Sequence, residues 1–339
     1  MKKKTVSGKV LVISLHKLGD TIFTIPAIKL LNKKHSAKNV KILCYPESKT
    51  IYKRALDNEI ITLQHTRFFI GGRIAKVSAV RLFRKIKSEI IIDLTGNIKS
   101  ASLLFFNTAG NVLGFNKNIY QSLYSDFRMR NEKAHLVEAL IEIVDKTISS
   151  EEVKKIAEYK LTPKVSDVIL IHPHGGWSAK EWNLTKFIEI AEKLISEKNK
   201  KVKFVFEKNE KYQSLKNKLT EKKLEFIETE SIEHLFEEID KCFLLIGNDS
   251  GPVYMAAMAG KPTFSIYGPT NPSFSIPFGK HHTYIRKIIH CSPKEGEQYC
   301  YTFAGRKGCP SFECMNQLTV DEVYNKLSKF LQSLNTKVI

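Results

Sequence analysis

Residues 11–31, LVISLHKLGDTIFTIPAIKLL, begin as a strand and end as a helix, and Asp20 lies at the junction. The apolar run up to Leu15 is typical of a strand that is buried on both faces, whereas the residues after Thr21 repeat their apolar positions at helical spacing. A strand that leads directly into a helix is the first half of a crossover unit in a parallel sheet. The stretch therefore predicts an α/β fold with a carboxylate at the carboxyl end of a central strand.

The same alternation of short apolar strands and amphipathic helices continues along almost all of the 339 residues. It restarts after the polar stretch 149–167, where Pro163 is followed by a new strand, VILIHP. We therefore expect two doubly wound Rossmann-like domains that face each other across a cleft. The predicted domains are residues 1–162 and 163–318. Residues 319–339 are expected to form a C-terminal helix that packs back across the cleft.

The chain has a formal net charge of +19, and the excess is concentrated in its first half. Residues 1–160 contain 29 Lys and Arg against 14 Asp and Glu, whereas the remainder contains 25 against 21. This asymmetry predicts a polyanionic partner for the first domain; the alternative is a solvated lysine-rich surface. No nucleic-acid recognition module accompanies the basic residues, so we do not expect nucleic acid to be that partner.

Neither an export signal nor a membrane span is predicted. The N-terminal apolar run covers only Val10–Leu15, and no apolar stretch approaches the roughly 18 residues that a spanning helix needs. We therefore expect a cytoplasmic protein with at most peripheral membrane contact, and free thiols. Cys291, Cys300, Cys309 and Cys314 crowd the C-terminal region, but they lack a Cys-x2-Cys pair. We predict no metal site there, with zinc as the alternative.

An anion-binding turn is predicted where the strand FLLIGN runs into DSGPVYMAAMAG, in residues 243–260. Asp249, Ser250 and Gly251 lie at the start of a helix whose free N–H groups and positive dipole end favour a phosphate. The alternative is that Asp249 or Ser250 only caps this helix. The sequence matches neither of the common glycine-rich phosphate loops, so the site would be a nucleotide site of another kind.

A second strand-to-helix junction, IHPHGGWSAKEW in residues 171–182, has two glycines in its turn. Gly175 and Gly176 let a phosphate approach the backbone closely, and Lys180 supplies a point charge that would neutralise it. The alternative is that Lys180 is one of many surface cations and that the two nearby tryptophans serve packing alone.

The motifs GD, IDLTGNIKSA, HLVEAL, IHPHGG, GNDSGP and YGPTNP, in this order, resemble those of the ADP-heptose:lipopolysaccharide heptosyltransferase family, glycosyltransferase family nine. The resemblance implies a GT-B fold. It also implies an inverting, metal-independent glycosyltransferase without a cofactor, which moves a heptose from ADP-heptose to a hydroxyl of the lipopolysaccharide inner core. The alternatives are a related GT-B transferase with another nucleotide sugar or glycan acceptor, and a non-catalytic nucleotide or nucleic-acid binder.

The resemblance also implies roles for individual residues. Asp20 lies where the family has its proposed general base, and this role fits a carboxylate on a rigid strand end. Lys180 falls on the donor-phosphate lysine and Asp249 on the aspartate of the donor site. Lys99 corresponds to a lysine on the acceptor side, where Lys17 is expected to join it. The remaining donor-site candidates are Ser250, Gly251, Gly175, Gly176 and, for the ribose, Glu207, with Glu210 as the alternative.

The implied acceptor carries carboxylates and phosphates, which gives the basic first half of the chain a partner. Its binding is therefore expected to weaken with salt. The basic residues expected to receive it are Lys53, Arg54, Arg67, Arg73, Lys76, Arg81, Arg84 and Lys85.

Overall fold

The protein is described by a computed structural model that covers residues 8–71, 73–163, 166–300, 309 and 311–335. The chain divides into two compact units, of which the first ends at Ala157 and the second begins at Glu158. This division falls within the polar stretch after which the strand and helix pattern restarts.

The first unit is built on a six-stranded parallel sheet. Its strands and helices are, in chain order, β1 (Val10–Ser14), α1 (Leu18–His35), β2 (Val40–Cys44), α2 (Lys49–Ala55), β3 (Glu59–Thr62), α3 (His65–Phe68), β4 (Phe69–Ile70), β5 (Ile74–Ala75), α4 (Val77–Lys85), β6 (Ile90–Asp93), α5 (Ile98–Leu104), β7 (Asn111–Gly114), β8 (Asp126–Phe127), α6 (Leu136–Val144) and α7 (Ser150–Ala157). The strand order across the sheet is β3-β2-β1-β6-β7-β8, and β4 and β5 form a separate antiparallel hairpin.

The second unit repeats this plan with its own six-stranded parallel sheet. Its elements are, in chain order, β9 (Val168–His172), α8 (Leu184–Lys198), β10 (Lys201–Glu207), α9 (Gln213–Glu221), β11 (Glu225–Thr229), α10 (Ile232–Lys241), β12 (Leu244–Asn248), α11 (Gly251–Met258), β13 (Thr263–Tyr267), β14 (His282–Arg286), α12 (Glu313–Asn316) and α13 (Val320–Asn335). The strand order is β11-β10-β9-β12-β13-β14.

Each sheet has its first strand at the centre, because the chain pairs outward on one side of it and then crosses back to the other. All five residues of β1 are buried, as are all five of β12, because these strands have neighbours on both sides and helices on both faces. The sequence pattern therefore predicted α/β architecture with two doubly wound Rossmann-like domains correctly. It missed β3, β8 and β14, which lie toward or at the sheet edges and carry weaker apolar patterns.

The C-terminal helix α13 packs within the second unit. Its apolar stripe, which includes Val323, Leu327 and Leu331, is buried in the core of that unit. The helix lies against α8 and β14. This packing accounts for the apolar stripe. That the helix also packs back across the cleft stays a prediction.

Candidate functional site

Both sheets have a topological switch point, which is the place where the connections that follow two neighbouring strands run to opposite sides. In the second unit this point lies between β9 and β12, where His172 pairs in register with Gly247. In the first unit it lies between β1 and β6, where Ile13 pairs with Asp93. Ligands of open α/β sheets bind in the crevice at the carboxyl ends of such strands. The site residues predicted from the sequence follow these four strands, except Glu207, which is the last residue of β10.

Lys180 and Asp249 form an ion pair at the switch point of the second unit. The Nζ atom of Lys180 lies 2.5 Å from Oδ2 of Asp249, and their side chains are 14% and 3% exposed. The hydroxyl of Thr270 donates to the same Oδ2 at 2.7 Å, and the hydroxyl of Tyr254 donates to Oδ1. Three donors therefore hold the Asp249 carboxylate, which in turn fixes the ammonium group of Lys180.

Asn248 joins the two loops that carry this pair. Its Oδ1 accepts from the backbone N–H of Trp182 at 3.0 Å, and its Nδ2 donates to the carbonyl of Pro173 at 2.7 Å. The side chain is fully buried, so these bonds satisfy groups that water cannot reach. No local sequence pattern predicts this role, because the two partners lie 66 and 75 residues away along the chain.

The capping alternative for Asp249 and Ser250 is not observed. Ser250 occupies the N-cap position of α11, yet its side chain makes no capping hydrogen bond. The Ser250 hydroxyl is buried and has no partner among the described residues. An unsatisfied buried hydroxyl is costly, so Oγ of Ser250 at this helix start is available for a ligand oxygen, next to Gly251.

The glycine turn after β9 is already partly occupied by protein groups. The backbone N–H of Gly175 donates to Oε1 of Glu181 at 2.9 Å, whereas a side chain at Gly176 would meet open space. The ring of Trp177, which is 38% exposed, lies 4.5 Å from Nζ of Lys180. In this turn Gly176 and Trp177 are therefore exposed to solvent, whereas the side chain of Lys180 is largely buried.

Two stacked aromatic rings lie beside this turn, and the sequence did not predict this contact. The ring of His174 stacks on that of Tyr212 with centroids 4.1 Å apart. Burial lowers the pKa of His174 to about 4, with a smaller contribution from the charge of Lys211. Its Nε2 atom is buried without a hydrogen-bond partner in the described structure.

Glu207 lies at the end of β10 on the exposed surface, with its carboxylate 3.7 Å from Nζ of Lys211.

Asp20 lies in the first turn of α1, directly after β1. It is exposed, and its carboxylate forms no hydrogen bond or ion pair with the described residues. Lys17, not Asp20, is the N-cap residue of α1, so the capping alternative does not apply to Asp20. The carboxylate lies at the start of α1, where the free N–H groups of the first helical turn are found.

His16 lies between Asp20 and the neighbouring strand. Its Nε2 atom lies 2.9 Å from the carbonyl oxygen of Leu94, which follows β6. Burial lowers the pKa of His16, and the nearby Asp20 carboxylate partly opposes that effect. A neutral imidazole that donates through Nε2 ties the end of β1 to the end of β6.

Lys17 and Lys99, the two residues predicted for the acceptor side, are close enough in the first unit for their charges to interact. The pKa of Lys99 is lowered, first by burial and then by the positive charge of Lys17. Nζ of Lys99 lies 3.2 Å from Nε2 of His65 and 5.2 Å from the ring centre of Tyr45. These groups form a cationic, aromatic-lined surface after β1, β2 and β6.

Asp93 holds the loop that leads to Lys99. Its Oδ1 accepts from the backbone N–H groups of Thr95 and Gly96 at 2.8 and 3.2 Å, and its Oδ2 accepts from the hydroxyl of Tyr124 at 2.6 Å. Gly96 adopts φ of +62°, and an added Cβ would approach the ring of Phe115 to 2.2 Å. The loop therefore requires glycine at this position. Burial raises the pKa of Asp93, against the effect of these hydrogen bonds.

The four late cysteines line one small cavity in the second unit. Cys291, Cys300, Cys309 and Cys314 line it together with Ala179 and neighbouring residues, and none of the four forms a disulfide bond. Within the described ranges no three His, Cys, Asp or Glu side chains are arranged to hold a metal ion. Only the zinc alternative predicted that these cysteines meet.

None of the helices that the structure describes combines the length and the apolar character required to cross a bilayer.

GT-B proteins are the class built from two doubly wound parallel sheets. In this chain each of the two sheets has charged residues at the edge where its switch point lies. The chain belongs to glycosyltransferase family 9 (heptosyltransferase), whose sequence pattern it matches over residues 79–302. It is 30% identical over 115 residues to lipooligosaccharide heptosyltransferase 2 of Haemophilus influenzae, a match that covers 32% of this chain and 33% of that relative. The aligned segment thus spans about a third of the length of the curated relative.

Solved structures of glycosyltransferases share the fold of this chain. A glycosyl transferase family 9 protein from Veillonella parvula superimposes with a TM-score of 0.79 at 17% identity, over 96% of this chain and 98% of the other. The Escherichia coli heptosyltransferase WaaC with ADP-2-deoxy-2-fluoro heptose gives a TM-score of 0.69 at 16% identity, over 94% and 99%. These likenesses show the fold.

Proposed function

We propose that this protein is an inverting glycosyltransferase that transfers a heptose from ADP-heptose to a hydroxyl of the lipopolysaccharide inner core. Family membership supports the transferase class, and the ADP-sugar bound by WaaC supports the nature of the donor. The proposal depends above all on one observation. An unpaired carboxylate, Asp20, and a fixed ammonium group, Lys180, each lie at the switch point of their own sheet.

Asp20 would act as the general base. As the acceptor oxygen attacks the anomeric carbon, its proton passes to a carboxylate oxygen of Asp20. The bond between the anomeric carbon and the diphosphate breaks in the same displacement, and ADP leaves with the electron pair. Attack from the face opposite the leaving group inverts the configuration. A positioned base of this kind accelerates a reaction by roughly 10²- to 10⁴-fold.

The second unit would bind the donor and stabilise the departing diphosphate. Lys180 offers a positive charge that Asp249 holds in place before the substrate arrives, so that little reorganisation is needed as charge develops. The unpartnered hydroxyl of Ser250 and the start of α11 at Gly251 would supply further donors to phosphate oxygens. Glu207 is the proposed partner of the ribose.

The first unit would bind the anionic acceptor. Lys17 and Lys99 would meet a carboxylate or phosphate near the reacting hydroxyl, and the basic residues predicted above would attract the rest of the core. In this proposal no metal ion or other cofactor takes part, because Lys180 supplies the charge that a cation would otherwise provide. The reaction would take place on the cytoplasmic side of the membrane.

The test is to follow ADP release from ADP-heptose with truncated core acceptors in the presence of a chelator. We expect turnover by the unaltered protein. Asp20→Ala should lower kcat by roughly 10²- to 10⁴-fold, whereas ADP binding, measured by calorimetry, should not change because Asp20 lies in the other unit.

Asp57→Ala is a suitable control, since it removes an exposed carboxylate from the same unit. It should leave kcat unchanged. Unaltered turnover by Asp20→Ala would remove Asp20 from the role of base. Release of ADP only with a different glycan, or release of another nucleotide from another sugar donor, would favour the related transferase.

A further inference from the structure

The first unit exposes a group of large apolar side chains on three adjacent elements. Ile70 and Ile74 are direct cross-strand partners in the β4–β5 hairpin, and Val77 begins α4. Phe105 and Phe106 follow the last residue of α5. Their exposed fractions are 60%, 53%, 66%, 72% and 38% in this order. Single exposed apolar residues are ordinary, but a group of this kind marks an interaction site.

Basic residues surround these apolar side chains. The solvent-facing side of α4 carries Arg81, Arg84 and Lys85 after Val77, at the spacing of one helical face, and the exposed Arg73 lies in the hairpin. No Asp or Glu occurs between residues 60 and 88. The positive charge of this segment is therefore not balanced by acidic side chains within it.

Direct contacts show that these elements form one continuous surface. The backbone N–H of Ala75 in the hairpin donates to the hydroxyl of Ser102 on α5 at 2.9 Å. Nε of Arg84 donates to the carbonyl of Phe106 at 3.5 Å. At about 1.5 Å per residue, Val77 and Lys85 lie about 12 Å apart. The basic side of α4 thus connects the apolar hairpin at one end with the two phenylalanines at the other.

We propose that this basic–apolar surface (Ile70, Arg73, Ile74, Val77, Arg81, Arg84, Lys85, Phe105 and Phe106) binds an anionic lipid bilayer. Aliphatic and aromatic side chains insert into the boundary between headgroups and acyl chains, while arginine and lysine pair with lipid phosphates. The inference that a membrane is the occupant rests in part on the proposed function, because an inner-core acceptor is anchored in a bilayer. The surface itself, with its charge and exposure, does not depend on that function.

The experiment uses the full chain and sedimentation with vesicles, without donor or acceptor. The unaltered protein is expected to bind vesicles that contain phosphatidylglycerol, and to bind pure phosphatidylcholine at least tenfold more weakly. Two double variants test the two components, Ile74→Ser/Phe105→Ser for the apolar part and Arg81→Glu/Lys85→Glu for the charge. Each should lower the partition coefficient by about tenfold or more.

Matched controls carry the same chemical changes elsewhere. Ile288→Ser removes an exposed isoleucine from the second unit, and Lys198→Glu/Lys218→Glu reverses two exposed lysines there. Both should bind vesicles like the unaltered protein. Far-UV circular dichroism and thermal unfolding of every variant show whether the chain, including the first unit, is folded.

Loss of vesicle binding in the surface variants alone, with an unaltered circular dichroism spectrum, supports the proposal even if no heptose transfer is found. Equal binding to both kinds of vesicle, no binding to either, or equal losses in the controls would overturn it. So would a change of oligomeric state caused by the surface variants without vesicle binding, since a second copy would then be the occupant.

Discussion

Oδ2 of Asp249 lies 2.5 Å from Nζ of Lys180, although the two residues are 69 positions apart in the chain. Both side chains are largely removed from solvent, and Asp249 takes two further hydrogen bonds, from Tyr254 and Thr270. Because its oxygens are engaged, this carboxylate is better suited to position Lys180 than to contact a diphosphate itself. The role we assign to Asp249 in the donor site is therefore to hold the cation.

Replacement of Asp249 should destabilise the second unit as well as weaken donor binding. Asp249→Ala leaves the ammonium group of Lys180 buried without its partner, which costs about 3–5 kcal/mol for pairs of this kind. Urea unfolding followed by tryptophan fluorescence measures this directly, because Trp177 and Trp182 are the only tryptophans and both lie in this unit.

The matched control for that experiment is Glu230→Ala. Glu230 pairs with Lys208 at the same distance of 2.5 Å, but both side chains are more than 60% exposed. Water screens such a pair, so no measurable change in unfolding is expected. Equal effects of the two substitutions would show that burial does not determine the contribution of the Asp249 pair.

Lys99→Met should raise the KM for the acceptor while it leaves the Kd for ADP unchanged. Lys99 is a partly buried cation of the first unit, whose side chain meets His65 and the face of Tyr45. A charge-assisted contact is typically worth about 1.5–3 kcal/mol, so the increase should be about tenfold or more. Steady-state kinetics with varied acceptor measures it.

Lys117→Met, which removes an exposed lysine from the same unit, should have little effect on that KM. A change in ADP affinity caused by Lys99→Met, with an unaltered KM for the acceptor, would contradict the assignment of Lys99 to the acceptor side.

The second unit should lose stability as the pH falls from about 6.5 toward 4. Burial, and then the neighbouring His174, lowers the pKa of His172 to about 4. The unfolded chain therefore binds more protons than the folded chain in this range, which favours unfolding as the pH drops. One such histidine contributes roughly 2 kcal/mol of destabilisation at pH 5 relative to pH 7.

Urea unfolding at pH 7, 6 and 5 tests this pH dependence. His172→Gln should reduce the slope of the unfolding free energy against pH, even where the variant is less stable throughout. His290→Gln, at an exposed position, should leave the slope unchanged. An identical slope in His172→Gln and the unaltered protein would exclude His172 as its source.

Cys309 should react with iodoacetamide before Cys314 at pH 8. A hydrogen bond with the hydroxyl of Ser311, together with nearby backbone N–H groups, lowers the pKa of Cys309. Burial, and then the other cysteines of the cavity, raises the pKa of Cys314 to about 11. Since the thiolate is the nucleophile, Cys309 is the more reactive of the two.

Peptide mass spectrometry at successive times measures both rates of alkylation. Ser311→Ala should slow the modification of Cys309 and leave that of Cys314 unaltered. Faster alkylation of Cys314 in the unaltered protein would be the contradictory result.

Three of the candidate site residues share one property. Asp20 and Lys17 follow β1 within a few residues, and Lys180 follows β9, so their place at the carboxyl end of a strand could be read from local pattern alone. The partners that the site residues contact in the folded protein could not be predicted from local pattern. Tyr254 and Thr270 meet Asp249, and Tyr212 meets His174, only because separate strands are adjacent in the sheet.

The sequence by itself determined the alternation of strands and helices, the presence of two Rossmann-like domains and the residues that end the central strands. These features depend on apolar periodicity and on short strand-to-helix junctions, which are local properties. Only the tertiary structure decided the strand order, the joining of Lys180 to Asp249 and the continuous surface formed by the β4–β5 hairpin, α4 and α5. Each of these arises from contacts between segments distant in the chain, and no local pattern specifies which distant segments will pair.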